Sequence, residues 1–275
     1  MSSLPLQLIV GDLQHPPRIF DLEQPRTATM PIHPSHRPGY SYVLHRRHED
    51  SYGQDGPRTG ASGMIVCMEH TGTHIDAPCH QADRLTLCGG VPVDASIQSS
   101  RGFTRHAVDE IPPLVAPGVL LDMTAHHGID ALPAGYAVTA AELQACARRQ
   151  GSEIAAGDVV LVYTGNEQVW DDEERYLAGP GMAGDASRWL AGLGVLAVGA
   201  DNMAWDVIGV PDPELGCTLP GHLLLLAQRG IYILENLRLG ELAATRAYRF
   251  IFVCMPLKFV GATGSPVRPV ALVPA

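Results

Sequence analysis

Five short apolar runs limit what this chain can fold into. Val119-Leu-Leu-Asp-Met123, Val159-Val-Leu-Val-Tyr163, Val195-Leu-Ala-Val-Gly199, Ile231-Tyr-Ile-Leu234 and Phe250-Ile-Phe-Val-Cys254 are each four or five residues long. Runs this short, apolar and β-branched read as strands rather than helices. Helical signals alternate with some of them. Thr139 and Glu142 form a capping box, the hydroxyl bonding an amide three residues on while the carboxylate reaches back, and Gly151 closes that helix. Asp185–Ala191 carries a second helical pattern, and Pro220 opens a third over Gly221–Arg229 that ends at Gly230. Strands alternating with single helices give an α/β fold, and the unequal connections across 119–163 and 231–254 predict a mixed sheet. Met64-Ile-Val-Cys-Met68 reads as a further strand, buried, leading into the histidine-rich stretch beyond it.

Residues 1–60 differ from the rest. Pro16-Pro17, Pro25, Pro31, Pro34 and Pro38 break any long helix there, so this part is expected to be an irregular arm with short strands, wrapping the domain or a partner subunit. Residues 61–275 carry no linker, repeat or low-complexity tract and are expected to form one domain. The net charge of −10 and the lack of any basic block beyond Arg46-Arg47 argue against nucleic acid or an anionic membrane as partner. No stretch reaches the roughly 18 apolar residues needed to span a bilayer, and the start of the chain lacks the features of a secretory signal. Six cysteines without C-x-x-C spacing read as free thiols in a reducing compartment. The expectation is a soluble, cytoplasmic protein.

The chemistry is concentrated in His70-Thr-Gly-Thr-His74-Ile-Asp76-Ala-Pro-Cys-His80, where four imidazole or carboxylate side chains fall within eleven residues. On an extended segment His74 and Asp76 point to the same side. Gly72 lets the backbone turn back so that His70 can join them. Two imidazoles and a carboxylate make a donor set for a zinc-like or manganese-like ion, and three ligands leave coordination positions open. His80, beyond Pro78, projects near the ion without having to bind it. A histidine-rich surface loop is the plainer alternative, since the chain has 12 histidines. His33-Pro-Ser-His36, His45-Arg-Arg-His48 and His126-His127 lack a third ligand type and read as solvated loops. Gly179-Pro-Gly181-Met-Ala-Gly184 matches a dinucleotide pattern only literally, because no apolar strand precedes it and proline stiffens the turn. Cys79 reads as a small buried residue rather than a nucleophile.

The His70–His80 stretch resembles the H-x-G-T-H-x-D-x-P-x-H signature of the metal-dependent cyclase family, which includes bacterial kynurenine formamidases and isatin hydrolases. Gly157–Gly165, Pro180–Asp201, Pro220–Leu237 and Pro256–Arg268 resemble later segments in the same order, so the likeness covers roughly residues 20–275. It implies a swivelling β/α/β fold, assembled as homodimers or homotetramers with the amino-terminal arm reaching across. It implies His70, His74 and Asp76 as ligands of a Mn²⁺ or Zn²⁺ ion and His80 as general base or acid. His222 and Glu235 are implied as holding a second ion, or as orienting water and substrate. By themselves His222 would read as a helix-start residue and Glu235 as an ordinary carboxylate.

The resulting expectation is a metal-dependent hydrolase in which a divalent ion acidifies water and polarises a carbonyl, with His80 shuttling the proton near neutral pH. Activity is expected to fall below about pH 6, where ligand imidazoles protonate. The longer arm and the 165–185 insertion favour a cyclic amide or lactone over N-formylkynurenine, whose hydrolases the resemblance implies to be shorter chains. Tyr40, Tyr42, Tyr52, Trp170, Trp205 and Phe259 are candidate walls for a flat aromatic small-molecule substrate. A non-catalytic metal or ligand-binding module is the alternative class, and a spare base at His80 argues against it.

Overall fold

A computed structural model describes residues 16–274; the amino-terminal residues considered for a leader lie outside them. In chain order the main strands are β1 (Arg18–Asp21), β2 (Tyr40–Arg46), β3 (Ser62–Cys67), β4 (His74–Asp76), β5 (Leu114–Asp122), β6 (Val159–Tyr163), β7 (Ala197–Ala200), β8 (Tyr232–Glu235), β9 (Arg249–Cys254), β10 (Gly264–Pro266) and β11 (Val270–Val273). All but β2 and β3 join a nine-stranded sheet in the order β1-β11-β9-β5-β6-β7-β8-β4-β10. β5, β6, β7 and β8 are mutually parallel, and every other pairing in that sheet is antiparallel. The sheet is therefore mixed, as the connection lengths require.

Alternation along the parallel strands divides the core. Leu120 and Leu161 face one apolar layer with Ile75, Leu234 and Phe252. Val119, Leu121, Val160 and Val162 face another with side chains of α1 (Ala140–Gln150) and α2 (Gly184–Leu193). Strands covered on both faces read as continuous apolar runs, which is why β6 is buried along its whole length. The capping box of α1 is made on both sides, and Gly151 ends the helix in the left-handed conformation. The third helix starts at Pro220 as α3 (Pro220–His222) and continues as a π-type turn over Leu223–Ala227.

β1, a short strand of the kind expected within the amino-terminal stretch, pairs with β11 at the edge of the main sheet. One expectation changes. β3 is a strand but not a buried one. It pairs with β2 alone, in a ribbon outside the main sheet, and Met64, Ile65 and Val66 are 55, 63 and 52% exposed. An apolar run announces a strand without saying whether this chain's own core covers it.

Register positions the site. β4 is sandwiched between β8 and β10, with His74 opposite Glu235 on one side and Pro266 on the other. Directly opposed residues share a face, so His74, Asp76 and Glu235 project together while Ile75 enters the core behind them.

Candidate metal centre

His70, His74, Asp76, His222 and Glu235, the ligands implied by the sequence, come together in one buried cluster, and His80 stands beside them. Gly72 takes a positive φ of 60°, which makes the turn between His70 and β4. Arg26, from the proline-rich segment, donates to the carbonyls of Thr71 and Thr73 and clamps that turn. Pro220 starts α3 so that His222 comes down over the sheet, 152 residues after His70 in sequence.

Each of three imidazoles has one nitrogen committed to a fixed partner. His74 Nδ1 donates to the Gly72 carbonyl at 2.8 Å, and Asn236 donates to the same oxygen at 3.0 Å. His222 Nδ1 donates to Asp206 at 2.7 Å; that carboxylate also accepts the amides of Gly221 and His222. The Thr263 hydroxyl donates to Glu69 at 2.5 Å, so its oxygen must accept from His70 Nε2 at 2.8 Å. Such outer partners fix tautomer and ring orientation in metal-binding histidines. The nitrogens left over converge. His74 Nε2 lies 3.4 Å from Asp76 Oδ1 and 3.3 Å from Glu235 Oε2. His222 Nε2 lies 3.2 Å from Glu235 Oε1 and 3.6 Å from Asp76 Oδ2. His70 Nδ1 is 2.7 Å from Asp76 Oδ1.

The arrangement fits a divalent ion. Donor atoms placed tetrahedrally at about 2.0–2.2 Å from an ion stand roughly 3.3–3.6 Å apart, the spacing seen here for His74, Asp76, Glu235 and His222. His74 Nε2 and Asp76 Oδ2 are buried without a hydrogen-bond partner, the state expected of ligand atoms awaiting a cation. Two donor groups meet at Asp76: His70, Asp76 and His80 in one, His74, Asp76 and Glu235 in the other. The grouping differs from the one implied by the signature, since His80 has a nitrogen within ligand range and Asp76 is shared.

Electrostatics follow the same logic. Burial alone would push His74 down, but Asp76 and Glu235 outweigh it and hold the imidazole protonated up to about 10. His222 is likewise raised, by Asp206 and Glu235 against its burial. Burial and Asp76 would raise Glu235, yet His222 and His74 bring it down to about 2. Without metal, protons occupy the place of a cation. His80 goes the other way: burial pushes it down to about 3. The expectation that it titrates near neutrality is corrected; at neutral pH it is an uncharged acceptor.

Among the described residues, a cavity of about 160 Å³ opens over these groups, its lining including apolar Met203, Ala204, Ile208 and Leu219 and polar Ser35 and Gln81. None of the six aromatic candidates lines it. Trp205 is fully buried and Trp170 packs edge-on against Tyr176, while Tyr42, Tyr52 and Phe259 are 53, 83 and 46% exposed and Tyr40 packs beside the Trp170 cluster. His33 and His36, expected in a solvated loop, do line it. Asp206, Thr263, Glu69 and Arg26 were also missed, since contacts spanning 16, 193, 194 and 45 residues leave no local pattern.

The Putative cyclase family model matches residues 20–207, more than half of the chain. The chain belongs to the cyclase family. It is 30% identical over 261 residues to a kynurenine formamidase of Paracidovorax citrulli, covering 94% of this chain and 99% of that one. It is 28% identical over 232 residues to an isatin hydrolase of Roseibium aggregatum, covering 81% and 78%. A crystal structure described as a novel cyclase superposes with a TM-score of 0.83 at 28% identity, covering 97% of this chain and 88% of that one. This cyclase-family chain is a metal-dependent hydrolase with the mixed α/β fold that the signature implied. Chain length does not separate the two activities as expected, because the kynurenine formamidase matched over 99% of its length aligns over 261 residues and so is close in size to this chain of 275. Among the described residues no helix is long and apolar enough to cross a membrane.

Proposed function

We propose that this protein opens a small cyclic amide or lactone of isatin-like chemistry, using Mn²⁺ or Zn²⁺ held by His70, His74, Asp76, His222 and Glu235. The observation that carries this reading is the division of labour among imidazoles. Three have one nitrogen pinned and the other turned inward, whereas His80 makes no side-chain hydrogen bond among the described residues. A bound divalent ion supplies a Lewis acid for the carbonyl and an acidified water. His80, uncharged and beside the cluster, is the group that would accept a proton from the attacking water and pass it to the leaving nitrogen or oxygen. Glu235 accepts the Trp205 amide at 2.8 Å, which fixes its orientation towards the two imidazoles. The walls formed by Met203, Ile208 and Leu219 exclude water from a flat substrate lying over the cluster.

Hydrolysis of N-formylkynurenine, a linear arylformamide, is the second reading, favoured by the relative that matches over nearly its whole length. Residues 61–275 serve as the catalytic domain in either case. The β2–β3 ribbon, with Tyr42, Val43, Leu44, Met64, Ile65 and Val66 all at least 44% exposed, supports assembly into homodimers or homotetramers through the arm. The deciding experiment is a hydrolysis assay on chelator-stripped protein with Mn²⁺ or Zn²⁺ restored, using isatin, N-formylkynurenine and a small unsaturated lactone. Metal-restored turnover of isatin or the lactone supports the first reading, and turnover of N-formylkynurenine alone the second. No turnover of any of them, with metal bound, refutes both.

A further inference from the structure

The turn that joins His70 to His74 is gripped from two sides. Arg26 donates to the carbonyls of Thr71 and Thr73, and its guanidinium lies against Gly72, where an added Cβ would fall 2.7 Å from Nη1. The carbonyl between those two, that of Gly72, accepts His74 Nδ1 at 2.8 Å and Asn236 Nδ2 at 3.0 Å instead. Asn236 follows Glu235 at the end of β8, 1% exposed and with a φ of 56°. Its amide donates to the Asn202 carbonyl at 2.9 Å, its carbonyl accepts the Thr73 hydroxyl at 2.6 Å, and its Oδ1 lies 3.0 Å from the Tyr176 hydroxyl. Because a carbonyl can only accept, the side-chain nitrogen must be the atom on Gly72.

The residue type answers two demands at once. Glycine, asparagine and aspartate are the residues that enter left-handed backbone routinely. Of these, glycine has no side-chain donor and an aspartate carboxylate only accepts. Asparagine suits both the φ and the Gly72 oxygen. That oxygen decides which nitrogen His74 turns to the cluster, since the hydrogen bond at one imidazole nitrogen fixes the tautomer. Glycine leaves the peptide unit between residues 72 and 73 free to rotate. Rotated, it would set the Thr73 N–H against His74 Nδ1, which would then accept and send its proton to Nε2, the atom beside Asp76 and Glu235. Arg26 fixes only the carbonyls on either side. Among the described residues, Asn236 is the one donor besides His74 itself that opposes the rotation.

We propose that Asn236 is a positioning residue for the metal centre: it holds the Gly72 carbonyl on His74, so that Nε2 carries no proton and faces the ion. This rests on the metal-dependent hydrolase reading above and deepens it. The test uses full-length protein and Zn²⁺. Asn236→Gly keeps the backbone conformation and removes the donor, while Asn236→Asp keeps the shape and replaces the donor by an acceptor. Tyr176→Phe removes the hydroxyl on Oδ1, equally buried, and leaves the donor in place. Zinc affinity, read by chelator competition, should fall about 10–100-fold in both Asn236 variants and stay within about threefold of wild type in Tyr176→Phe. A long-range ¹H–¹⁵N spectrum of histidine-labelled, zinc-loaded protein reads the tautomers directly. His74 and His222 should each carry a proton on Nδ1, and Asp206→Asn identifies the signal of His222. The Asn236 variants should lose or broaden the His74 Nδ1–H signal alone, which a general loosening of the fold would not do. Unchanged zinc affinity in both Asn236 variants, an equal loss in Tyr176→Phe, or an intact His74 signal in the Asn236 variants overturns the proposal. Wild-type protein that binds no zinc and no manganese refutes the metal centre itself, and the proposal with it.

Discussion

Asp206→Asn tests whether the outer partners of the histidines hold the centre together. Asp206 is 1% exposed and accepts three donors with two oxygens: the Gly221 amide at 2.6 Å on one, and the His222 amide at 3.1 Å and His222 Nδ1 at 2.7 Å on the other. Asparagine keeps the volume but turns one acceptor into a donor. Keeping the oxygen on His222 sets an NH₂ against the Gly221 N–H; the opposite flip removes the pin on Nδ1 and frees the other tautomer. Losing one charge-assisted hydrogen bond costs about 1.5–3 kcal/mol, and an orphaned buried N–H costs a similar amount. Some of this falls on folding, because these amides open α3. The rest falls on the metal, where losing an outer partner lowers affinity about 10–100-fold, or roughly 1.4–2.8 kcal/mol. Competition with a chromophoric chelator for Mn²⁺ or Zn²⁺ reads the second part, and thermal unfolding of metal-free protein reads the first. Asp212→Asn is the control: Asp212 is also buried but accepts the amides of Glu214 and Leu215, so it should lower stability and leave metal affinity alone. If Asp206→Asn binds metal within threefold of wild type, the pinned-tautomer argument for His222 is wrong.

The same geometry sets further outcomes. His74→Ala should lose both metal and turnover, while His80→Ala should keep metal and lose turnover; near-full activity in the latter would remove His80 from the proton path. His74 is held protonated up to about 10 without metal, so metal must displace a proton. Apparent affinity should therefore rise about tenfold per pH unit between 6 and 8 for each proton released, and calorimetry in two buffers of different ionisation enthalpy counts those protons. Because this folded-state pKa is raised, its contribution to metal-free stability is complete below the unfolded value near 6.5 and is lost as pH rises through about 10. Turnover should fall below about pH 6, and a flat rate profile down to pH 5 would contradict the scheme. In Gly264→Ala the new Cβ would lie 2.6 Å from His70 Cε1 and 3.0 Å from the Ile75 carbonyl, so stability should fall by about 1–3 kcal/mol and metal affinity with it. Phe252→Ala, fully buried in the sheet core away from the cluster, should cost about 3–5 kcal/mol in denaturant unfolding and leave metal affinity unchanged.

Local chemistry made much of this protein legible before folding was considered. The five apolar runs became β5 to β9 because strands buried on both faces must be apolar throughout. Thr139, Glu142 and Gly151 marked the ends of α1 because caps act within a few residues. His74 and Asp76 share a face because a strand repeats every two residues, and Gly72 permits the turn that returns His70. These readings need only short-range geometry. What the sequence could not say is where each element finds its partner. β3 has the composition of a core strand and lies exposed in a ribbon, since burial depends on what else packs there. Trp205 and Trp170 went into the core rather than the cavity for the same reason. His222 and Glu235 were promoted only by family order, and Asp206, Thr263, Glu69 and His36 were not promoted at all. The chain by itself determined its strands, its caps and a dense set of metal donors. Tertiary structure alone decided which donors share Asp76, which nitrogen each imidazole turns inward, and which histidine is left free above them, because those choices are made by contacts between residues far apart in sequence.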